Sequence, residues 1–265
     1  PTASMQLKEI TQAVGVPLYE VISRRVHLTQ AGEALAQTAR AISAEWESFE
    51  QHMSALKGHQ TGRLRLSMVS TAKYFVPRQV GSFCALYPDV EVSLEVLNRD
   101  GVVARLRDNM DDLYIMSMPP SDMALQDQVF RPNPLVVIAA KSHPASRAAS
   151  LNLSTLKSDK FILREKGSGT RMAVDRHFKK NRFTPTVRMA LGSNEAIKEA
   201  VAGGLGVSVI SSHALGAKPQ SQGLAVLNVR GFPLHSQWHL VCPKAKRLSP
   251  LALAFQAHLM QDASA

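Results

Sequence analysis

Nothing in this sequence restricts its architecture more than a ladder of apolar residues near its start. Leu35, Ala39, Ile42, Trp46, Phe49, Met53 and Leu56 are separated by 4, 3, 4, 3, 4 and 3 residues. This is the a/d spacing of heptads, a stripe down one side of a long helix, with Glu45, Glu47 and Glu50 on its other faces. A stripe of 3.5-residue period favours another helix as its cover, and a second copy of the chain is the expected supplier. Leu35, Ile42, Trp46, Phe49 and Met53 are therefore the expected dimerisation residues. Thr29 is placed to cap this helix. It ends near Lys57-Gly58, and His59 to Gly62 reads as a hinge-like linker.

Upstream, residues 4–14 read as a short helix with Met5, Leu7, Ile10 and Val14 apolar, stopped by Gly15-Val16-Pro17. Val21 to Leu28 reads as a small basic hairpin with Ser23-Arg24-Arg25 at its tip. Downstream, strand and helix patterns alternate. Leu64, Leu66 and Met68 alternate with Arg63, Arg65 and Ser67, which predicts a strand with one polar face. Helices follow over 75–86 and 101–109, and strands over 90–97, 112–118 and 135–140. The same grammar recurs later: strands over 160–164, 186–191, 206–210, 224–229 and 238–242, and helices to Phe178, over 195–202 and over 250–260. Alternation of this kind predicts an α/β fold with parallel-rich sheets, here as two similar units with a cleft between them. A length of 265 residues allows about two domains of ordinary size.

Charge separates the two units. Residues 138–237 hold 15 Lys and Arg against 5 Asp and Glu, which is the whole net charge of +10. A basic block of this size suits a nucleic acid, a membrane face or an acidic small ligand. No stretch of about 18 apolar residues is present, so no membrane span is expected. Residues 1–30 show no export leader, although the chain opens on Pro1 rather than Met. Cys84 and Cys242 are too few for a disulfide framework and suggest a reducing, cytoplasmic setting.

Two strand-to-helix turns are rich in hydroxyls: Ser70-Thr71, and Ser168-Gly169-Thr170. A helix start offers unpaired N–H groups and partial positive charge, so such turns hold anions or carboxylates. They also fall beyond the carboxyl ends of strands, where α/β sheets bind ligands. The plainer reading is N-capping alone. Gly203, Gly204 and Gly206 follow a helix and precede a strand, the reverse of a dinucleotide loop, and read as a tight turn. Enzyme signatures are absent: no G-x-S-x-G, P-loop or H-E-x-x-H occurs. Cys84 reads as core, His235 and His239 lie around a strand rather than on a metal-binding helix face, and Asp111-Asp112 reads as a turn. Neither catalytic residues, metal nor cofactor is expected.

Three strings bring a family into view: Pro1-Thr2-Ala3-Ser4-Met5-Gln6-Leu7-Lys8-Glu9-Ile10, then Val14-Gly15-Val16-Pro17-Leu18-Tyr19-Glu20, then Arg24-Arg25-Val26-His27-Leu28-Thr29-Gln30-Ala31-Gly32. Together they resemble the winged helix-turn-helix of LysR-type transcriptional regulators. The resemblance implies that the chain opens inside the recognition helix, with roughly 30 residues before it, a length at which two preceding helices brace the reader. It also implies a partial DNA-binding domain over 1–30, a linker and dimerisation helix with hinge over 31–61, and a two-lobed effector domain of periplasmic-binding-protein-like fold. Lobe I would take 62–137 and 238–265, and lobe II 138–237. Ser4, Gln6 and Lys8 would meet double-stranded DNA from the helix, and Arg24 and Arg25 from the wing. Ser70, Thr71, Ser117, Ser168, Thr170, Ser193 and Asn194 would contact a small effector. Homodimers or homotetramers would carry the signal. Gly167-Ser168-Gly169-Thr170-Arg171 and Leu191-Gly192-Ser193-Asn194-Glu195-Ala196-Ile197-Lys198 look most like the subgroup that controls Calvin-cycle operons, which answers to phosphorylated or otherwise anionic metabolites. The basic lobe is consistent with such a ligand. Two other readings stay open: a stand-alone solute-binding protein without DNA binding, which predicts an export leader and no heptad helix, and an α/β transferase or lyase, which predicts a base or nucleophile in the cleft.

Overall fold

The computed structural model describes residues 2–56 and 61–262. Helix α1 (Thr2–Val14) ends at Gly15, whose φ of +78° lets its N–H reach back to the Thr11 carbonyl. Strands β1 (Tyr19–Ile22) and β2 (Arg25–Leu28) pair antiparallel around Ser23 and Arg24, both at positive φ. Helix α2 (Gln30–Leu56) follows, and Thr29 Oγ1 accepts from Gly32 N at 3.1 Å as its cap. Residues 57–60 of the expected linker lie outside the described residues. Gly62, expected to close that linker, instead opens the first strand of the large domain.

Lobe I is built on a five-stranded sheet in the order β4-β3-β5-β12-β6. Strands β3 (Gly62–Val69), β4 (Val90–Leu97) and β5 (Leu113–Met116) run parallel, while β12 (Gln237–Pro243) runs antiparallel to β5 and to β6 (Leu125–Pro132). Helices α3 (Val76–Leu86), α4 (Arg99–Arg107) and α7 (Pro250–Asp262) supply its cover. Leu64, Leu66, Met68, Phe83, Leu106, Trp238 and Phe255 form the buried centre.

Lobe II repeats this plan. Strands β8 (Lys160–Arg164) and β9 (Thr186–Leu191) are parallel, and β10 (Ser208–Ser211) and β11 (Leu224–Leu227) flank β7 (Leu135–Ala140) antiparallel. A parallel bridge from Phe161 to Val207 links the two parts. Helices α5 (Gly169–Lys180) and α6 (Asn194–Ala202) give it two buried clusters, one around Phe161, Val174 and Phe178 and one around Ile138, Ile197 and Ile210.

The chain crosses between lobes twice, from β6 to β7 and from β11 to β12. The two crossings lie side by side: Asn133 N donates to Ser236 O at 2.8 Å, and Leu135 and Leu234 exchange both backbone bonds. Each lobe therefore contains one antiparallel strand delivered from the other, so the sheets are mixed rather than parallel-rich. All of β7 belongs to lobe II, which puts the first crossing a few residues before the expected 137/138 boundary. β6 is absent from the sequence reading because Gln126, Asp127 and Gln128 break its apolar pattern; it is an edge strand, and one side faces water. The polar face expected of β3 holds at the exposed Arg63 and half-buried Arg65 but not at Ser67, which is fully buried.

Gly206 decides the α6-to-β10 turn. Its φ is +154°, and a Cβ there would lie 2.1 Å from the Lys160 carbonyl oxygen.

Candidate functional site

The carboxyl ends of β3 and β5 in lobe I face those of β8 and β9 in lobe II across a narrow cleft. Its walls are Val69, Ser70, Thr71, Asn98, Arg99, Ser117, Arg164, Ser168, Gly169 and Thr170. The free volume is only about 10 Å³, room for one water at most. What fills the cleft is Arg164, the last residue of β8, whose side chain is 2% exposed. Its guanidinium donates across the cleft to Ser70 Oγ at 3.2 Å and Thr71 Oγ1 at 3.3 Å. Within lobe II it donates to Asn194 Oδ1 at 3.3 Å, Gly192 O at 3.4 Å and both oxygens of Glu165 at 2.8 and 3.0 Å. Arg171 Nη1 in turn holds the Arg164 carbonyl at 2.9 Å.

Ser70 and Thr71 do not start an α-helix, as the sequence reading expected. They open a 3-10 turn, Ser70–Tyr74, that has no side-chain cap. Their hydroxyls are thus free to meet Arg164. Ser168 does cap α5, accepting from Arg171 N at 3.5 Å, and still lines the cleft with the buried Thr170. Ser117 directly follows β5 and faces Gly169 so closely that a Cβ on Gly169 would sit 3.0 Å from the Ser117 Oγ. Asn194 is buried and donates to Thr71 Oγ1 at 3.3 Å. Ser193 departs from the group: it caps α6 through Glu195 N and Ala196 N, donates to Glu195, and does not line the cleft.

Gly167 brings the lobes together beside this point. Its φ is +88°, a Cβ would meet Asp100 Oδ2 at 2.4 Å, and its carbonyl accepts from Asp100 N at 3.3 Å. Asn98 caps α4 through Gly101 N, and Arg99 Nε donates to Met118 O at 2.6 Å.

Arg164, Arg99 and Asn98 escaped the sequence reading. Arg164 carried a usable signal, a cation ending the apolar run Phe161-Ile162-Leu163 at the carboxyl end of a strand. Asp111-Asp112, read as a turn, does lie in the bend between α4 and β5, but the pair is largely buried and bonded rather than a solvent-facing turn. Asp111 is buried and makes a two-pronged pair with Arg105 at 2.7 and 2.8 Å; Asp112 accepts from Arg65 N at 2.7 Å, and burial pushes its carboxyl above the usual range. Lys246 beside it is pushed down by burial, with Asp112 opposing. These are anchors of lobe I.

On the N-terminal segment, Ser4, Gln6 and Lys8 are exposed along α1, which has no buried residue. Arg24 sits at the hairpin turn and Arg25 opens β2, both exposed. On α2, Leu35 is half-buried, while Ile42, Trp46 and Phe49 are 66%, 61% and 50% exposed and Met53 is 38% exposed. A neighbouring face of α2 rests on lobe I: Arg65 reaches Glu47 at 2.7 Å, and Gln51 Nε2 donates to Arg63 O at 3.1 Å. Among the described residues no cluster of His, Cys, Asp and Glu is arranged for a metal ion, and no helix is long and apolar enough to cross a membrane.

Two lobes around an arginine-filled cleft, carried on a long helix behind a helix-and-wing segment, define a transcription regulator with a ligand-sensing domain. Comparison makes the assignment specific. Residues 57–264 match the family described as LysR substrate binding domain. The HTH-type transcriptional activator CmpR of Synechocystis is 43% identical over 259 residues, 98% of this chain and 85% of that protein. The RuBisCO operon transcriptional regulator of Acidithiobacillus ferrooxidans is also 43% identical, over 98% of this chain and 84% of its own length. The Synechocystis CcmR regulatory domain, solved in complex with 2-PG, superposes with a TM-score of 0.74 at 44% identity, covering 76% of this chain and 97% of that one. This chain belongs to the LysR-type transcriptional regulators.

Proposed function

We propose that the chain regulates carbon-fixation genes in response to a small anionic metabolite held between its lobes. The observation that carries this is Arg164. A guanidinium buried at the junction of both lobes, ringed by Ser70, Thr71 and Asn194, is a ready receptor for a carboxylate or phosphate. Its present carboxylate partner, Glu165, comes from the same strand end, and a ligand anion can take that place. The relatives named for RuBisCO operon control and the neighbour solved with 2-PG support the choice of genes and ligand class.

In this reading 1–30 and 31–61 serve as DNA-reading and pairing segments for the two lobes that follow. The exposed stripe of α2 pairs with the same stripe of a second copy, and α1 with the hairpin presents Ser4, Gln6, Lys8, Arg24 and Arg25 to double-stranded DNA. Lysine and arginine give salt-sensitive phosphate contacts, while glutamine reads a base edge.

Titration calorimetry with 2-PG tests the cleft. Arg164→Met is expected to weaken binding by at least about tenfold, the loss of one charge-assisted hydrogen bond. Undiminished binding would remove the cleft from the mechanism.

A further inference from the structure

A second set of contacts spans the lobes outside the Arg164 cluster. Tyr74 belongs to lobe I by chain order, yet its ring packs on the lobe II cluster that holds Ile138, Ile197 and Ile210. Its hydroxyl donates to Glu195 Oε1 at 2.5 Å. Lys73 Nζ donates to Glu195 Oε2 at 2.8 Å, and Ser193 Oγ donates to the same oxygen at 2.8 Å. Lys198 of α6 stands 5.8 Å from the centre of the Tyr74 ring. Glu195 is thus gripped by two donors from the opposite lobe and one from its own. Burial works against its charge, but the bonds from Lys73, Tyr74 and Ser193 outweigh it and hold the carboxyl at about 2. The Tyr74 phenol is pushed up, first by burial and then by Glu195.

These contacts coincide with a cleft of about 10 Å³, whereas ligand pockets run to roughly 300 Å³ and more. A ligand therefore needs the lobes to separate. The Lys73 and Glu195 side chains are 36% and 47% exposed, so water replaces their bond readily when they part. The Lys73–Glu195 pair is therefore a contact that releases readily, the half-buried Tyr74 bond parts with it, and the bonds from Arg164 to Ser70 and Thr71 must break in the same opening.

We propose that Glu195, held by Lys73 and Tyr74, is a latch that keeps the ligand-free cleft shut and must let go before an anion binds. This rests on the cleft being the ligand site. A shut state that cannot bind lowers apparent affinity by the fraction of molecules it holds. The latch thereby sets the ligand concentration at which the regulator responds.

The test uses the full chain with Glu195→Gln and, separately, Tyr74→Phe, which keeps the ring on lobe II and removes only the hydroxyl. Without ligand, small-angle scattering or a fluorescent pair across the lobes should report a wider mean separation in both variants. With 2-PG as probe, association should be faster and apparent affinity about threefold to tenfold higher. Unchanged separation, or affinity that falls, overturns the latch. Arg164→Met keeps the two ideas apart: if it binds 2-PG like the parent, the cleft reading fails, while the ligand-free separations still judge the latch.

Discussion

At Asp111 a single carboxylate shows how much of lobe I depends on charge placed inside it. Arg105 from α4 grips both its oxygens, and its backbone N–H donates to the Tyr114 hydroxyl at 2.7 Å, itself bonded to the Arg105 carbonyl. Removing one partner of a buried pair leaves the other uncompensated. Asp111→Asn should therefore cost about 3 kcal/mol of stability, read from urea unfolding followed by circular dichroism. A loss below about 1 kcal/mol would show that water reaches Arg105 and screens it. Sequence alone did not reveal this pair, because Asp111-Asp112 between a helix and a strand has the look of an exposed turn. Arg164 was hidden for a related reason. One arginine among 15 basic residues of lobe II is set apart only by the apolar run Phe161-Ile162-Leu163 that it ends, and its partners Ser70 and Thr71 lie more than 90 positions away in the chain.

Elements were more legible than residues. The Leu35 to Leu56 spacing foretold a helix, and Thr29 its cap, because both are local: one follows from the 3.6-residue turn, the other from an unpaired N–H three residues on. The alternating runs of β3 and β4 and the short apolar run of β7 were readable for the same reason. Turns were less so, since Ser70–Tyr74 and a true helix start carry the same hydroxyl signature. In α2 the rings of Trp46 and Phe49 lie 5.6 Å apart on a face that this chain leaves open, while the neighbouring face is tied to lobe I through Glu47 and Gln51. A charge in the middle of a paired apolar seam is left without a partner when the seam closes. Trp46→Glu is expected to shift the species seen by light scattering towards the mass of one chain. An unchanged mass would mean the stripe does not join copies.

At the scale of the whole molecule, the double crossing makes each lobe depend on the other. β12 completes lobe I only after the chain has built lobe II, and the paired crossings at Asn133–Ser236 and Leu135–Leu234 are the natural pivot for opening. A ligand bridging the cleft must then stabilise the fold as a unit. At 100 times its Kd, 2-PG should raise apparent stability by about 2.7 kcal/mol, measured as a thermal shift that a tenfold loss of affinity in Arg164→Met cuts to about 1.4 kcal/mol at the same concentration. An undiminished shift in that variant would place the ligand elsewhere.

By itself the sequence determined the periodic elements, the concentration of positive charge in lobe II and the family, since each is written in neighbouring residues. Tertiary structure alone decided that the sheets are mixed, that Arg164 rather than a helix start fills the cleft, and that Glu195 reaches across to Tyr74. The reason is physical: burial and pairing depend on which distant segments meet, and a chain that crosses between its lobes twice joins residues whose local patterns hold no record of one another.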